Sequence, residues 1–369
     1  MEHLNIRNAG PADDGRIKAL LGASPASGPL SVGFTYEPSF FGSLPVQGTD
    51  PSVVVADSSG KLVGVGSASK RRVFVNGFPL EIGYLNSLRI APQARGSTIL
   101  ARGYRHLRKI QDETLRVPFY LTTIMEGNET AFRNITGGRA GLPTYKELGL
   151  YETFLIPIPR RRRDSDRAGC RVEAASKEDF ARLPTVLSRM GVRKQFFPAC
   201  SAQDLAGGPG QFQGLRPGDF LVAKSGGEIV GTLGLWDQSA FRQVRIVRYG
   251  PLLQILRTAS AAFGSVLGGS VFPKVGESVA VAMAACVTCK DNDPAILNNL
   301  LVKAVPELRE RGMRWLAIGL SAEDPLKGAV ESFRRITLHS RIYQVWWGDP
   351  GRPPIPLDAR VKYLELGSL

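Results

Sequence analysis

The run Pro157-Ile-Pro159-Arg-Arg-Arg-Arg-Asp-Ser-Asp166 constrains this chain most. Two prolines end a strand, and four adjacent like charges cannot share a packed core. The run therefore reads as a linker, with an anion site at Arg160–Arg163 as the alternative. A chain of 369 residues holds about two domains of ordinary size, so the expected division is 1–159, a linker at 160–170, and 171–369. The order of elements recurs across the break. Before it come strands at Leu4–Arg7, Ser52–Ala56, Leu62–Arg72, Phe78–Ile90, Pro118–Ile124 and Leu150–Ile158. Helices are expected from Pro11 to Leu21, Gly96 to Glu113 and Asn128 to Ile135. After it come strands at Arg171–Ala174, Phe220–Ala223, Glu228–Trp236, Val279–Thr288 and Trp315–Leu320, with helices at Lys177–Met190 and Pro294–Arg311. Lys61-Leu-Val-Gly64 and Glu228-Ile-Val-Gly231 each follow a turn at the same place, as in an internal repeat. The stretch Gln238–Val275 fits no simple template.

Composition matters here for what it excludes. With 43% hydrophobic and 22% charged residues, the chain is neither disordered nor collagen-like. Its formal charge of +14 is shared evenly: 22 basic and 15 acidic residues lie in 1–170, and 25 and 18 follow. Such an excess suits nucleic acid, an anionic surface or a polyphosphate ligand. Nucleic acid ranks last, since no recognition-helix motif or zinc finger is present. The start Met1-Glu-His-Leu-Asn5 is unlike a signal peptide, and the longest apolar run, Val279–Val287, is too short to span a bilayer. The expected compartment is the cytoplasm, with no membrane partner. Cys286 and Cys289 form one C-x-x-C in an apolar segment, which reads as two buried thiols. No metal site is expected, because the three histidines lack ligand spacing.

Chemistry is concentrated in Asn86-Ser-Leu-Arg-Ile-Ala-Pro-Gln-Ala-Arg-Gly-Ser-Thr-Ile-Leu100. A strand ends at Ala91-Pro92, a polar glycine loop follows, and an amphipathic helix begins. A helix start exposes unpaired N–H groups and carries partial positive charge. Gly96 lets a ligand approach the backbone, and Ser97 and Thr98 can add hydroxyl donors. Arg95, Arg102, Arg105, Arg108 and Lys109 add positive charge. Such a strand–loop–helix can cradle phosphates, the alternative being an ordinary surface helix.

The run Leu88-Arg-Ile-Ala-Pro-Gln-Ala-Arg-Gly-Ser-Thr98 resembles motif A of the GNAT superfamily of N-acetyltransferases. It reads Gln93-x-x-Gly96-x-Thr98, and Thr98 is bulkier than the Gly or Ala usual there. The resemblance covers residues 4–158 well and 171–348 in outline. It implies an α/β (α+β) fold: a mixed, mostly antiparallel sheet flanked by helices, in two tandem domains. It also implies acetyl-CoA as co-substrate, its pyrophosphate on Gln93, Ala94, Arg95, Gly96, Ser97 and Thr98. The pantetheine arm would pair with Leu88, Arg89 and Ile90 like an added strand. Asn128 matches the family's Asn that reaches the cofactor, and a helix cap is its other reading.

The implied activity is acetyl transfer to the primary amine of an unidentified acceptor. A non-catalytic acyl-CoA-binding or regulatory protein of the same fold is the alternative. The reaction needs a base for the amine and an acid for the leaving thiolate. Where many members place a glutamate this chain has Tyr84, which is no base at neutral pH. Glu81 and Glu126 are the candidate bases, Glu81 only if a bulge turns it, and both read equally as solvated carboxylates. Tyr145 is the candidate acid, with Tyr151 behind it, and a tyrosine on a packed strand is more often core. The second half has Thr288-Cys-Lys-Asp-Asn-Asp-Pro294 where the loop should stand, and Asp291 and Asp293 would repel phosphates. It is expected to be a degenerate copy. Tyr343, Trp346 and Trp347 are expected in the core or at a domain interface. Oligomeric state is not readable from the sequence.

Overall fold

The turn at Asn76-Gly77 joins two long antiparallel strands of the first half, of 15 and 13 residues. Both turn residues have positive φ, which Asn and Gly tolerate. The computed structural model describes residues 4–23, 30–96, 98–127, 135, 141–159, 170–250, 274–349 and 351–369. In chain order the first half gives β1 (Leu4–Asn8), α1 (Asp14–Gly22), β2 (Leu30–Thr35), α2 (Phe40–Ser43), β3 (Thr49–Ser58), β4 (Lys61–Val75) and β5 (Phe78–Ile90). It continues with α3 (Ile99–Ile110), β6 (Tyr120–Met125) and β7 (Thr144–Pro157). The second half gives β8 (Arg171–Ala174), α4 (Lys177–Gly191), β9 (Phe220–Ser225), β10 (Glu228–Asp237), β11 (Gln243–Tyr249) and β12 (Ser278–Val279). It ends with β13 (Val281–Cys289), α5 (Pro294–Glu310), β14 (Trp315–Ser321) and β15 (Ile336–Trp346).

Twelve strands form one sheet in the order β1-β3-β4-β5-β6-β15-β7-β14-β13-β10-β9-β8. The fold class expected from the resemblance is the one observed: mixed, mostly antiparallel, with helices against the sheet. Among the strand pairs of the described residues, only β5·β6 and β13·β14 are parallel. Read from either edge inward, the order is the same: β1, β3, β4, β5, β6 on one side and β8, β9, β10, β13, β14 on the other. The two halves therefore repeat. A small second sheet, β12-β11-β2, pairs Gln243–Tyr249 with Leu30–Thr35 and so accounts for part of the stretch that the sequence left open.

The last strand of each half is exchanged. β15, from the second half, lies between β6 and β7 of the first. β7 in turn pairs with β14. Phe154 and Ile156 of β7 are buried in the second half's core, while Tyr343 and Val345 of β15 are buried against α3 in the first. Each such side chain contributes about 1.5–3 kcal/mol by leaving water. The aromatic cluster expected near residue 345 is thus core at the join of the halves. Trp347 meets Tyr120 edge-on, with ring centroids 5.7 Å apart.

The repeat extends to irregularities. In β5, Ser87 has φ +57° and the pairing with β4 slips between Val65 and Ser67. In β13, Cys286 has φ +50° and the pairing with β10 slips between Thr232 and Gly234. Both are β-bulges on the parting strand itself, three residues past its last parallel pair at Tyr84 and at Met283. Gly64 and Gly231 also correspond. A Cβ on Gly64 would stand 3.2 Å from Ile99 Cγ2, and one on Gly231 would stand 2.5 Å from Ile296 Cγ2. The missing side chain lets each helix begin close against its sheet.

Candidate functional site

The loop after β5 begins with a single 3-10 turn, Pro92–Ala94, closed by the Ala94 amide on the Ala91 carbonyl at 2.9 Å. Gly96 then takes φ +79°, and a Cβ there would meet nothing within 4 Å. A side chain with a Cβ is strained in that conformation, so glycine is required by the backbone rather than by crowding. α3 begins at Ile99, not at Gly96 as its sequence suggested, because the glycine belongs to the approach loop. Thr98 is the N-cap residue, yet its side chain makes no capping bond. Gln93, Arg95, Gly96 and Thr98 are exposed, and Ala94 is half-buried. Ser97 and Asn128 lie outside the described residues.

The basic residues are divided in role. Arg102 points back and donates to the Leu4 carbonyl at 2.7 Å, so it holds β1 rather than extending the loop's charge. Arg105, Arg108 and Lys109 remain exposed along α3. Arg89 is half-buried on β5, and burial holds its guanidinium below the ordinary arginine range, with Arg95 repelling it further. Two neighbouring guanidinium groups that repel one another are relieved by an anion between them.

β5 and β6 pair only at Gly83–Tyr84 and then part. The Ala91 amide donates to the Val63 carbonyl across β4 at 2.9 Å. Alternation along the strand then turns the Arg89 amide toward β4 and the Leu88 and Ile90 amides toward the opened edge. In the second half the corresponding edge of β13 is filled. The Cys286 amide donates to Glu365 Oε2 at 2.9 Å, and the Val287 amide to the Tyr363 hydroxyl at 3.1 Å. The second helix start is filled too: Asp293 caps α5 by accepting from the Ala295 amide at 2.8 Å. Asp291 pairs with Arg193 at 2.8 Å.

The other sequence-predicted residues fall in separate places. Glu81 is exposed on β5, opposite Arg72, and the bulge at Ser87 comes after it, so nothing turns it toward the opening. Glu126 follows β6 and faces Arg341 at 3.4 Å, while Arg341 also holds Glu147 at 2.7 Å. Tyr145 is on β7, hydrogen-bonded to the Tyr104 hydroxyl of α3, and burial raises it well above the usual tyrosine range. Tyr151 is fully buried and donates to the Leu364 carbonyl at 2.9 Å, a core role. Tyr84 is buried with the Arg71 guanidinium 3.5 Å over its ring.

Glu365 was not singled out in the sequence. It is 2% exposed, and burial pushes its carboxyl up to about 7 although it accepts from the Cys286 amide and the Tyr363 hydroxyl. The surrounding tail is pinned by two buried arginines: Arg71 donates to the Ser368 carbonyl, and Arg242 to the main-chain oxygens of Gly367 and Leu369. The one available signal was a single glutamate among alternating apolar residues in Tyr363-Leu-Glu-Leu366.

Comparison with known proteins gives fold relatives only. No family model matches the chain, and no curated protein matches its sequence. Among solved structures it is similar to the GCN5-related glucosamine N-acetyltransferase region of a fungal multi-domain GH3 β-N-acetylglucosaminidase. That match has a TM-score of 0.62 and 12% identity over 93% of this chain, and the chain spans only 38% of that protein. It is also similar to Saccharomyces cerevisiae N-myristoyltransferase with bound myristoyl-CoA in two structures, each with a TM-score of 0.57 and 12% identity. These matches cover 94% and 97% of this chain, and 80% and 87% of the relatives. Among the described residues no helix is long and apolar enough to cross a membrane. The repeated strand order, the paired bulges and these likenesses together give the chain a GNAT-like fold in a tandem-domain arrangement.

Proposed function

We propose that the first half binds an acyl-CoA, acetyl-CoA being the smallest donor, and that the protein transfers the acyl group to a primary amine. The asymmetry between corresponding sites carries this reading. The second half fills its strand edge with Tyr363 and Glu365 and its helix start with Asp293. The first half leaves Thr98 without a capping bond, and β5 parts from β6 beyond Tyr84.

Gln93, Ala94, Arg95, Gly96, Ser97 and Thr98 are assigned to the pyrophosphate, and Leu88, Arg89 and Ile90 to the pantetheine arm. Asn128, on the following segment, is assigned to the same cofactor. An amide of the opened edge would stabilise the oxyanion formed when the amine attacks the thioester carbonyl. Collapse of that intermediate breaks the carbon–sulfur bond. Tyr145 is assigned the proton for the leaving thiolate by its place beside α3, and its raised value makes it a weaker acid than an ordinary tyrosine. Glu126 is assigned the proton lost by the amine, and Glu81 no part. The other fold relative's named substrate, glucosamine, marks amines as the acceptor class to test first.

Gly96→Glu tests the cofactor site. A left-handed residue with a Cβ costs about 1–2 kcal/mol, so the fold should survive. The added carboxylate would face phosphate, and CoA affinity measured by calorimetry should fall at least ~100-fold. Unchanged affinity with an intact circular dichroism spectrum would refute the assignment. Turnover of acetyl-CoA with an amine panel is the separate test of catalysis.

A further inference from the structure

We propose that the donor carries an acyl chain longer than acetyl, and that its end lies in an apolar cavity between the sheet and α3. This rests on the acyl-CoA reading above and names the donor class. The cavity has a volume of about 70 Å³ and is walled by Leu85, Leu88 and Ile90 of β5, Gly66 of β4, and Gly103 and Leu107 of α3. The first three belong to the stretch that parts from β6, so the cavity adjoins the strand assigned to the pantetheine arm.

Gly103 is the telling residue. Ile99 and Leu107 are buried, and residue 103 lies one turn from each on the same stripe of α3. A helix normally places its largest apolar side chains there. Glycine in a helix interior is unfavourable relative to alanine, and an unfilled apolar cavity is unfavourable as well. A Cβ built on Gly103 would meet nothing within 4 Å, so no neighbour forces the glycine. Gly66, on the facing strand, has only Leu88 Cδ1 near its absent Cβ, at 3.7 Å. Two glycines thus keep open a space that acetyl does not need. A cavity of roughly 150 Å³ takes benzene, so this one takes about three carbons. A butyryl or pentanoyl group is the size that fits.

The test is calorimetric binding of CoA, acetyl-CoA, butyryl-CoA and octanoyl-CoA. Affinity is expected to rise about fourfold per added methylene, or ~15-fold from acetyl to butyryl, and to gain nothing further at octanoyl. In Gly103→Leu the added side chain should occupy the space, and the preference for butyryl over acetyl should collapse to about one. If that variant does not fold, Gly103→Ala adds one methyl and should reduce the preference about fourfold. Equal affinity for acetyl- and butyryl-CoA, or a preference that persists in Gly103→Leu, would overturn the inference while leaving the CoA site standing. Failure of CoA itself to bind would overturn both.

Discussion

Glu365 shows how burial turns one carboxyl into a pH-dependent term. Its ordinary value is near 4.5, and in the folded protein it is pushed up to about 7. The folded state therefore binds the proton more tightly than the unfolded chain does. The stabilisation is complete below pH 4.5 and is lost as pH rises through 7. The size is on the order of 3 kcal/mol, at about 1.4 kcal/mol for each tenfold change in proton affinity. Thermal unfolding followed from pH 4 to 8 should show this decline, and Glu365→Gln should flatten it. An unchanged slope in the variant would mean that the carboxyl titrates as in water. At this scale the sequence was legible where chemistry is local. Gly96 announced its loop because a polar stretch between strand and helix leaves glycine few other uses. Glu365 did not, since its raised value comes from burial that only the tertiary fold supplies, against the lowering bonds from Cys286 and Tyr363.

Elements were legible in proportion to how local their causes are. β5 was bounded correctly because a turn precedes it and Pro92 follows it. β15 was not anticipated. Ile336-Thr-Leu-His-Ser-Arg-Ile342 alternates in part, but the pairing with β7 shifts between Ile342 and Tyr343, and Tyr343, Gln344, Val345 and Trp346 are all buried, so no single period runs through the strand. The strand–helix contact offers a test of the repeat. Gly231→Val would drive a side chain into Ile296, whose Cγ2 already stands 2.5 Å from the Cβ position. Stability should fall by about 1–3 kcal/mol in denaturant titration. Gly64→Val meets Ile99 at 3.2 Å, and there the helix start that would move belongs to the proposed phosphate loop. A variant with normal stability at Gly231 would show that α5 can shift freely over β10.

At the scale of the whole molecule, the order of elements read from the sequence captured the repeat but not the exchange of strands, and the linker read at 160–170 lies, but for residue 170, outside the described residues. Nothing near residue 160 records that β7 will leave its own half or that β15 will enter the other. The proposed division at 160–170 separates segments that share one sheet. Residues 1–159 expressed alone would expose the β6 and β7 edges that β15 covers, with Phe154 and Ile156 bared. Such edges invite pairing between chains. That fragment is expected to aggregate, and co-expression with residues 171–369 is expected to restore a soluble complex on size exclusion. A monomeric, cooperatively unfolding 1–159 would refute this. The even charge of the halves gives no hint of their inequality, which lies in which half supplies its own hydrogen-bond partners.

The place of β15 also sets a clock. A ribosome adds about 5–20 residues each second, so β15 emerges roughly 10–40 s after β7. During that interval the proposed cofactor half has its loop and helix but lacks the strand that separates β6 from β7. Ligand binding by nascent chains should therefore begin late and abruptly, and any factor that shields exposed strands would act in that window.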